Sequence, residues 1–146
     1  MMVRVKRLKP VHEAAENAER HSAARVVSAQ ARLEEGEGRL RDLEQYLAEY
    51  QSSFRSKAAA GLDARALRAY QIFIAKLNEA ISTQRGVVTQ LQLEAQREHE
   101  HWREAATRTK AVCKVIEQAA AEAGKLEERR LQRETDEHAQ RTRGMQ

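Results

Sequence analysis

Read in steps of three and four, residues 67–126 carry one unbroken apolar stripe. It runs Leu67, Tyr70, Ile74, Leu77, Ile81, Gln84, Val88, Leu91, Ala95, Glu98, Trp102, Ala105, Thr109, Val112, Ile116, Ala119, Ala123 and Leu126, and only Gln84, Glu98 and Thr109 are polar. A heptad phase held over so many turns predicts a coiled-coil helix, because alternating steps of three and four keep one seam facing a partner helix. The first half repeats the pattern at Val26, Ala29, Leu33, Gly36, Leu40, Leu43, Leu47, Tyr50 and Phe54, and weakens upstream through Ser22, Glu19, Ala15 and His12.

Between the halves lies AAAGLDARAL. Gly61 is suited to end a helix and Asp63 to cap the next one. Leu62 and Leu67 then fall at the N′ and N4 positions of a hydrophobic staple. The spacing therefore predicts an all-α fold, an antiparallel two-helix coiled-coil hairpin forming a single domain over residues 1–146. Helix 1 covers about 10–58, the turn about 59–63 and helix 2 about 64–142. A turn near residue 62 sets a register in which facing residue numbers sum to about 124. Phe54 then meets Tyr70, Leu47 meets Leu77, Leu43 meets Ile81, Leu33 meets Leu91, and Trp102 falls opposite Ser22.

Helix 2 is the longer and overhangs its partner. Its stripe stops at Leu126, and the next seam positions are Arg130, Arg133, Glu137 and Gln140. The last twenty residues have helical propensity and the Glu137–Arg141 spacing, but no face to bury. A helix polar all round is either solvated or clasped by a partner.

YQIFIAKLNEAI, residues 70–81, has an apolar residue to spare. Tyr70, Ile74, Leu77 and Ile81 complete the stripe, and Phe73 and Ala80 lie off it. Tyr46 is likewise off the seam of helix 1. In the proposed register Tyr46 and Tyr50 lie level with Phe73, Leu77, Ala80 and Gln84. Together they form an apolar surface continuous with the seam. It is a partner-binding patch, a widened core, or a face covered by a second copy. On the patch reading, Phe73→Ala leaves helicity and melting nearly unchanged and weakens partner binding, whereas Leu77→Ala damages both.

Composition narrows the class. Aromatic residues make up 4% and charged residues 33%, with a single proline, Pro10. That profile suits long helices along a narrow seam. Lys+Arg number 26 against Asp+Glu 22; the interleaved signs read as a solvated helical surface and give nucleic-acid binding little support. No apolar run approaches the length of a transmembrane helix, and the basic start MMVRVKRLK is not followed by an apolar signal region. Cys113 is the only cysteine and reads as a small half-buried residue beside Val112. A soluble cytoplasmic protein is expected.

Chemistry has little to stand on. There is no glycine-rich phosphate loop, nucleophile elbow or zinc-protease motif. His99 and His101 are two apart, on different sides of a helix, so no metal site and no cofactor are expected. Gly36 and Gly38, inside helix 1, read equally as a tolerated weak spot or as a bend.

Several stretches together resemble the flagellar export protein FliJ family: LRDLEQYLAEYQ before the turn, YQIFIAKLNEAI after it, HWREAATRTKAV further along, and ETDEHAQR near the end. Their order, their spacing from the turn and the chain length carry the resemblance over most of the sequence. It implies a non-catalytic part of the flagellar type III export apparatus, similar to the stalk of rotary ATPases. The terminal end would enter the pore of the hexameric flagellar export ATPase and promote ring assembly and turnover. The resemblance further implies contact with the cytoplasmic part of the export gate protein FlhA, handling of export chaperones, and a cytoplasmic location held peripherally at the inner membrane at the flagellar base.

Two regions carry over. The gate-binding surface implied by the family corresponds to Leu43, Tyr46, Tyr50, Phe73, Leu77 and Ala80, with Gln84 at its rim; this chain departs from the family by having Arg39 and Gln84 where members can carry glutamine and histidine. The terminal motif matches at Asp136, Glu137, Ala139, Gln140 and Arg141, with His138 at a position that can be aromatic. ATPase contact is expected from Asp136, Glu137 and Arg141 with Arg129, Arg130 and Arg133, joined by the basic start Arg4, Lys6, Arg7 and Lys9, which would be drawn to acidic loops lining the ring. The alternatives are the equivalent stalk of a virulence-type secretion system, a coiled-coil adaptor or homodimer unrelated to secretion, and a basic helical nucleic-acid binder.

Overall fold

The computed structural model describes residues 2–145, without the Met2 side chain. Two long helices pack against each other in an all-α helical hairpin: α1 spans Met2–Ala59 and α2 spans Ala64–Gly144. The turn follows from its local chemistry. Gly61 adopts φ 97°, a left-handed conformation that costs a residue with a Cβ roughly 1–2 kcal/mol. The Asp63 carboxylate accepts the Ala66 N–H at 2.7 Å, and the Asp63 carbonyl accepts the first intrahelical bond, from Leu67, at 3.1 Å. Asp63 is thus the N-cap expected of it. The staple is weaker than the spacing suggested, because Leu62 and Leu67 both stay more than a third exposed.

α1 begins earlier than the sequence pattern indicated, and Pro10 lies inside it. Proline removes one backbone N–H and crowds the preceding turn, so an interior proline needs compensation. Here Val5 and Leu8 are half-buried, extending the stripe upstream of His12 and giving these first turns something to hold.

The chain divides into two compact units, Ala23–His101 and Met1–Ser22 with Trp102–Gln146. In the first, the core is a line of seam residues, Ala29, Leu33, Leu77, Ile81 and Val88, each less than a tenth exposed. Phe54 stacks on Tyr70 with ring centroids 3.5 Å apart, which is the pairing the register required. Gly36 is buried here: a Cβ at this position would lie 2.7 Å from Leu91 Cδ1. The glycine makes a close contact, where one helix backbone accepts a leucine from the other.

In the second unit the seam is built on alanine, at Ala15, Ala105 and Ala119. Thr109 Oγ1 donates toward the Ala15 carbonyl at 3.2 Å across the seam, as well as to Ala105 in its own helix. This too agrees with the predicted register. Arg4 pairs with Glu122 at 3.8 Å. From residue 127 onward α2 stays helical with every described residue exposed.

Candidate interaction surfaces

The first surface lies beside the turn, in the unit Ala23–His101. Its basis is a chain of aromatic rings running outward from the seam. Phe54 stacks on Tyr70, and Tyr70 on Tyr50 at 5.6 Å. The Tyr50 ring lies 4.4 Å from Phe73, and Phe73 meets Tyr46 edge-on at 6.0 Å. Aromatic pairs favour such stacked and edge-to-face geometries, each worth about 0.5–1.5 kcal/mol beyond the area they bury.

Phe73 is therefore half-buried and tied into the fold, so its removal is now expected to lower the melting temperature rather than leave it nearly unchanged. Its position flanks the stripe, but the antiparallel register brings two tyrosines across from it, and their rings reach far enough to cover a flanking side chain. The exposed end of the chain is Tyr46, at 49%. Leu43 and Tyr50 are half-buried, Leu77 is buried, and Ala80 is exposed. Tyr46, Phe73 and Ala80 thus offer the accessible surface, and Leu77 supports it from within.

An open groove of about 490 Å³ adjoins this patch, lined by Arg39, Asp42, Leu43, Tyr46 and Gln84. Gln84 is half-buried, and its Nε2 donates to the Gly36 carbonyl at 3.0 Å. The side chain spans the seam and so anchors the groove wall. Arg39 reaches back to Glu35 at 2.9 Å. Asp42 escaped notice in the sequence; it directly precedes Leu43, but a charged residue on a solvated helix face carries no signal of its own.

The second set of expected residues lies in the other unit. Arg4, Lys6, Arg7 and Lys9 are all exposed on the first turns of α1. Lys6 and Lys9 line a groove of about 290 Å³ with Val5, His12, Cys113 and Ile116. Cys113 is exposed, not half-buried: it sits one step outside the seam, and the facing lysines leave the groove over it open.

On α2, Arg129, Arg133, Glu137 and Arg141 point to solvent, and Asp136 accepts a hydrogen bond from Gln132 at 3.3 Å. Arg130 bridges Glu127 at 2.7 Å and Glu134 at 3.8 Å. The hydrogen bond that Arg130 donates to Glu127, then the attraction of both carboxylates, raises its pKa above the ordinary guanidinium value. Among the described residues Glu137 and Arg141 form no ion pair, although their spacing permits one. No hydrogen bond or ion pair joins the basic start to residues 129–141 there either; α1 meets α2 at Glu122, about two turns earlier.

Among the described residues no three metal-ligating side chains come together, and no helix is long and apolar enough to cross a membrane. No curated protein and no solved structure matches the chain. A family model described as "Flagellar FliJ protein" matches residues 4–144, a span that includes both helices, the turn and both surfaces. Matched over nearly its whole length, the chain belongs to the flagellar FliJ protein family and has a role in flagellar protein export.

Proposed function

We propose that the protein is the stalk of the flagellar export ATPase. The terminal turns of α2 seat in the pore of the ATPase hexamer and promote its assembly and turnover. The Tyr46–Phe73 surface meets the cytoplasmic part of the export gate protein FlhA, and export chaperones that have released their cargo dock on the same protein. It works without a cofactor or active site of its own, in the cytoplasm and peripherally at the inner membrane.

The observation that carries this reading is the end of α2. Residues 127–145 are exposed throughout, are helical to Gly144, and are rich in both signs of charge. Isolated polar helices of this length are marginal in water, so a helix with no face to bury is well matched to a polar channel that surrounds it. Its own ion pairs, Glu127–Arg130–Glu134, stiffen it. The supporting point at the other surface is Tyr46, a large ring half-exposed beside an open groove.

The test is ATP hydrolysis by the cognate flagellar export ATPase, with light scattering to follow ring assembly. Three conditions are compared: no addition, the full chain, and a chain ending at Leu126. Stimulation and hexamer formation should require the last twenty residues. Absence of any effect from the full chain would overturn the stalk assignment and leave a coiled-coil adaptor of the export machinery.

A further inference from the structure

The two units each carry a groove beside the seam, and their charges are organised differently. In the unit Ala23–His101, the groove floored by Gly36 and Leu91 has two arginines on its rim. The protein's own carboxylates neutralise both: Arg32 pairs with Glu94 at 3.2 Å and Arg39 with Glu35 at 2.9 Å. That groove has no charge left over for a partner.

The groove in the other unit is the opposite case. Its floor is apolar, from Val5, Ile116 and the Cys113 side chain, and Lys6 and Lys9 stand on its rim. Neither lysine makes an ion pair or hydrogen bond among the described residues, and the same holds for Lys110, one turn before Cys113 on α2. Carboxylates on the same stretches of helix leave these lysines unpaired. Glu16 is held by His12 at 3.3 Å and by Arg20 at 3.3 Å, and the exposed Glu13 and Glu117 pair with none of the three lysines. The seam is also thin here. Val5, Leu8, Val112 and Ile116 are only half-buried by the two helices, so a third helix laid along the groove would remove more apolar surface from water.

We propose that this groove is a docking site for an acidic amphipathic helix of a partner protein. An apolar side chain enters between Val5 and Ile116 over Cys113, and carboxylates one turn apart meet Lys6 and Lys9, which at i, i+3 share one face of α1. Charge complementarity selects the partner: unpaired lysines around an apolar floor favour a helix with an acidic border. A nucleic acid has no apolar side chain for the floor, and the lining offers it no phenylalanine, tyrosine or tryptophan ring, only the half-buried His12 imidazole. A flat bilayer cannot enter a cleft between two helices. The proposal rests on the stalk reading only in sharing Lys6 and Lys9, and it replaces a general attraction to acidic loops with a shaped site.

The probe is a capped synthetic helix of leucine, alanine and glutamate, with glutamates bordering a leucine stripe. The full chain is titrated with it, and the rate at which a thiol reagent modifies Cys113, the only cysteine, is followed. Expected are saturable binding that weakens with salt, slowing of Cys113 modification by severalfold, and a loss of affinity of roughly threefold to tenfold in the Lys6→Gln/Lys9→Gln variant, as for removal of two exposed charge pairs. Both lysines are exposed, so the variant should fold as the parent does.

Four results would each overturn the site: no binding, binding without protection of Cys113, equal binding of a scrambled peptide or of one with glutamine for glutamate, and protection of Cys113 by anionic phosphatidylserine vesicles in place of the peptide. ATPase stimulation is measured separately. A protein that stimulates the ATPase but leaves Cys113 unprotected by the peptide keeps the stalk role and loses the groove, and the reverse pair of results does the opposite.

Discussion

Replacing Gly36 with alanine should destabilise the protein, although alanine is the better helix former by about 1 kcal/mol. The added Cβ would lie 2.7 Å from Leu91 Cδ1, and 3.8 Å from both Val88 Cγ2 and Gln84 Nε2. Leu91 is half-buried, so its methyl must move or the helices must part. That methyl is the far end of a flexible side chain, so the overpacking falls at the low end of its usual range, about 1 kcal/mol. Parting the helices also stretches the bond from Gln84 to the Gly36 carbonyl, worth about 1 kcal/mol. The balance is a loss of roughly 1 kcal/mol, or a fall in melting temperature of about 2–4 °C for a chain of this size.

Two other glycines act as controls, because they sit in helices with room to spare. A Cβ at Gly38 meets nothing closer than the Arg41 guanidinium at 3.8 Å, and one at Gly86 meets nothing within 4 Å. Gly38→Ala and Gly86→Ala should each stabilise by about 0.5–1 kcal/mol. The assay is thermal and urea unfolding followed by far-ultraviolet circular dichroism on all three variants. A Gly36→Ala/Leu91→Ala double variant, which removes the clashing methyl, should lose less than the sum of its single changes. If Gly36→Ala raises the melting temperature as far as Gly38→Ala does, the close approach at this seam position is not what Gly36 is for.

The aromatic chain gives a second test. Phe73→Ala should cost about 1.5–3 kcal/mol, since a half-buried ring and its contacts with Tyr46 and Tyr50 are lost, whereas Tyr46→Ala should cost about 1 kcal/mol or less while weakening the proposed FlhA contact more per unit of lost stability; unfolding midpoints alongside binding titrations check both, and equal stability losses would contradict the order of burial. At the turn, Asp63→Ala should cost about 1 kcal/mol through loss of the cap on Ala66. Gly61→Ala should cost about 1–2 kcal/mol through the left-handed backbone, and urea unfolding that found both neutral would show the turn to be unimportant for stability.

Much of this protein is legible along the chain because its folding signals are local and periodic. The stripe is buried or half-buried from Tyr70 to Ala123, with its ends Leu67 and Leu126 exposed, and Gly61 with Asp63 fixes where the chain reverses. Those two together set the register that joins Phe54 to Tyr70 and Ala15 to Thr109. The end of the stripe likewise announces the exposed terminal helix. The tertiary structure decided what lies across the seam. Tyr46 and Tyr50 cover Phe73 because the facing helix presents them at its level, and Gln84, read as a rim contact, turns inward to the Gly36 carbonyl. Cys113 is exposed beside a groove that Val5, Lys6, Lys9 and His12 of α1 line without filling, and α1 continues through Pro10 because Val5 and Leu8 have a partner helix to lie against. Periodicity reports which side of a helix is buried, but the reach of a side chain and the identity of its neighbour depend on both helices at once.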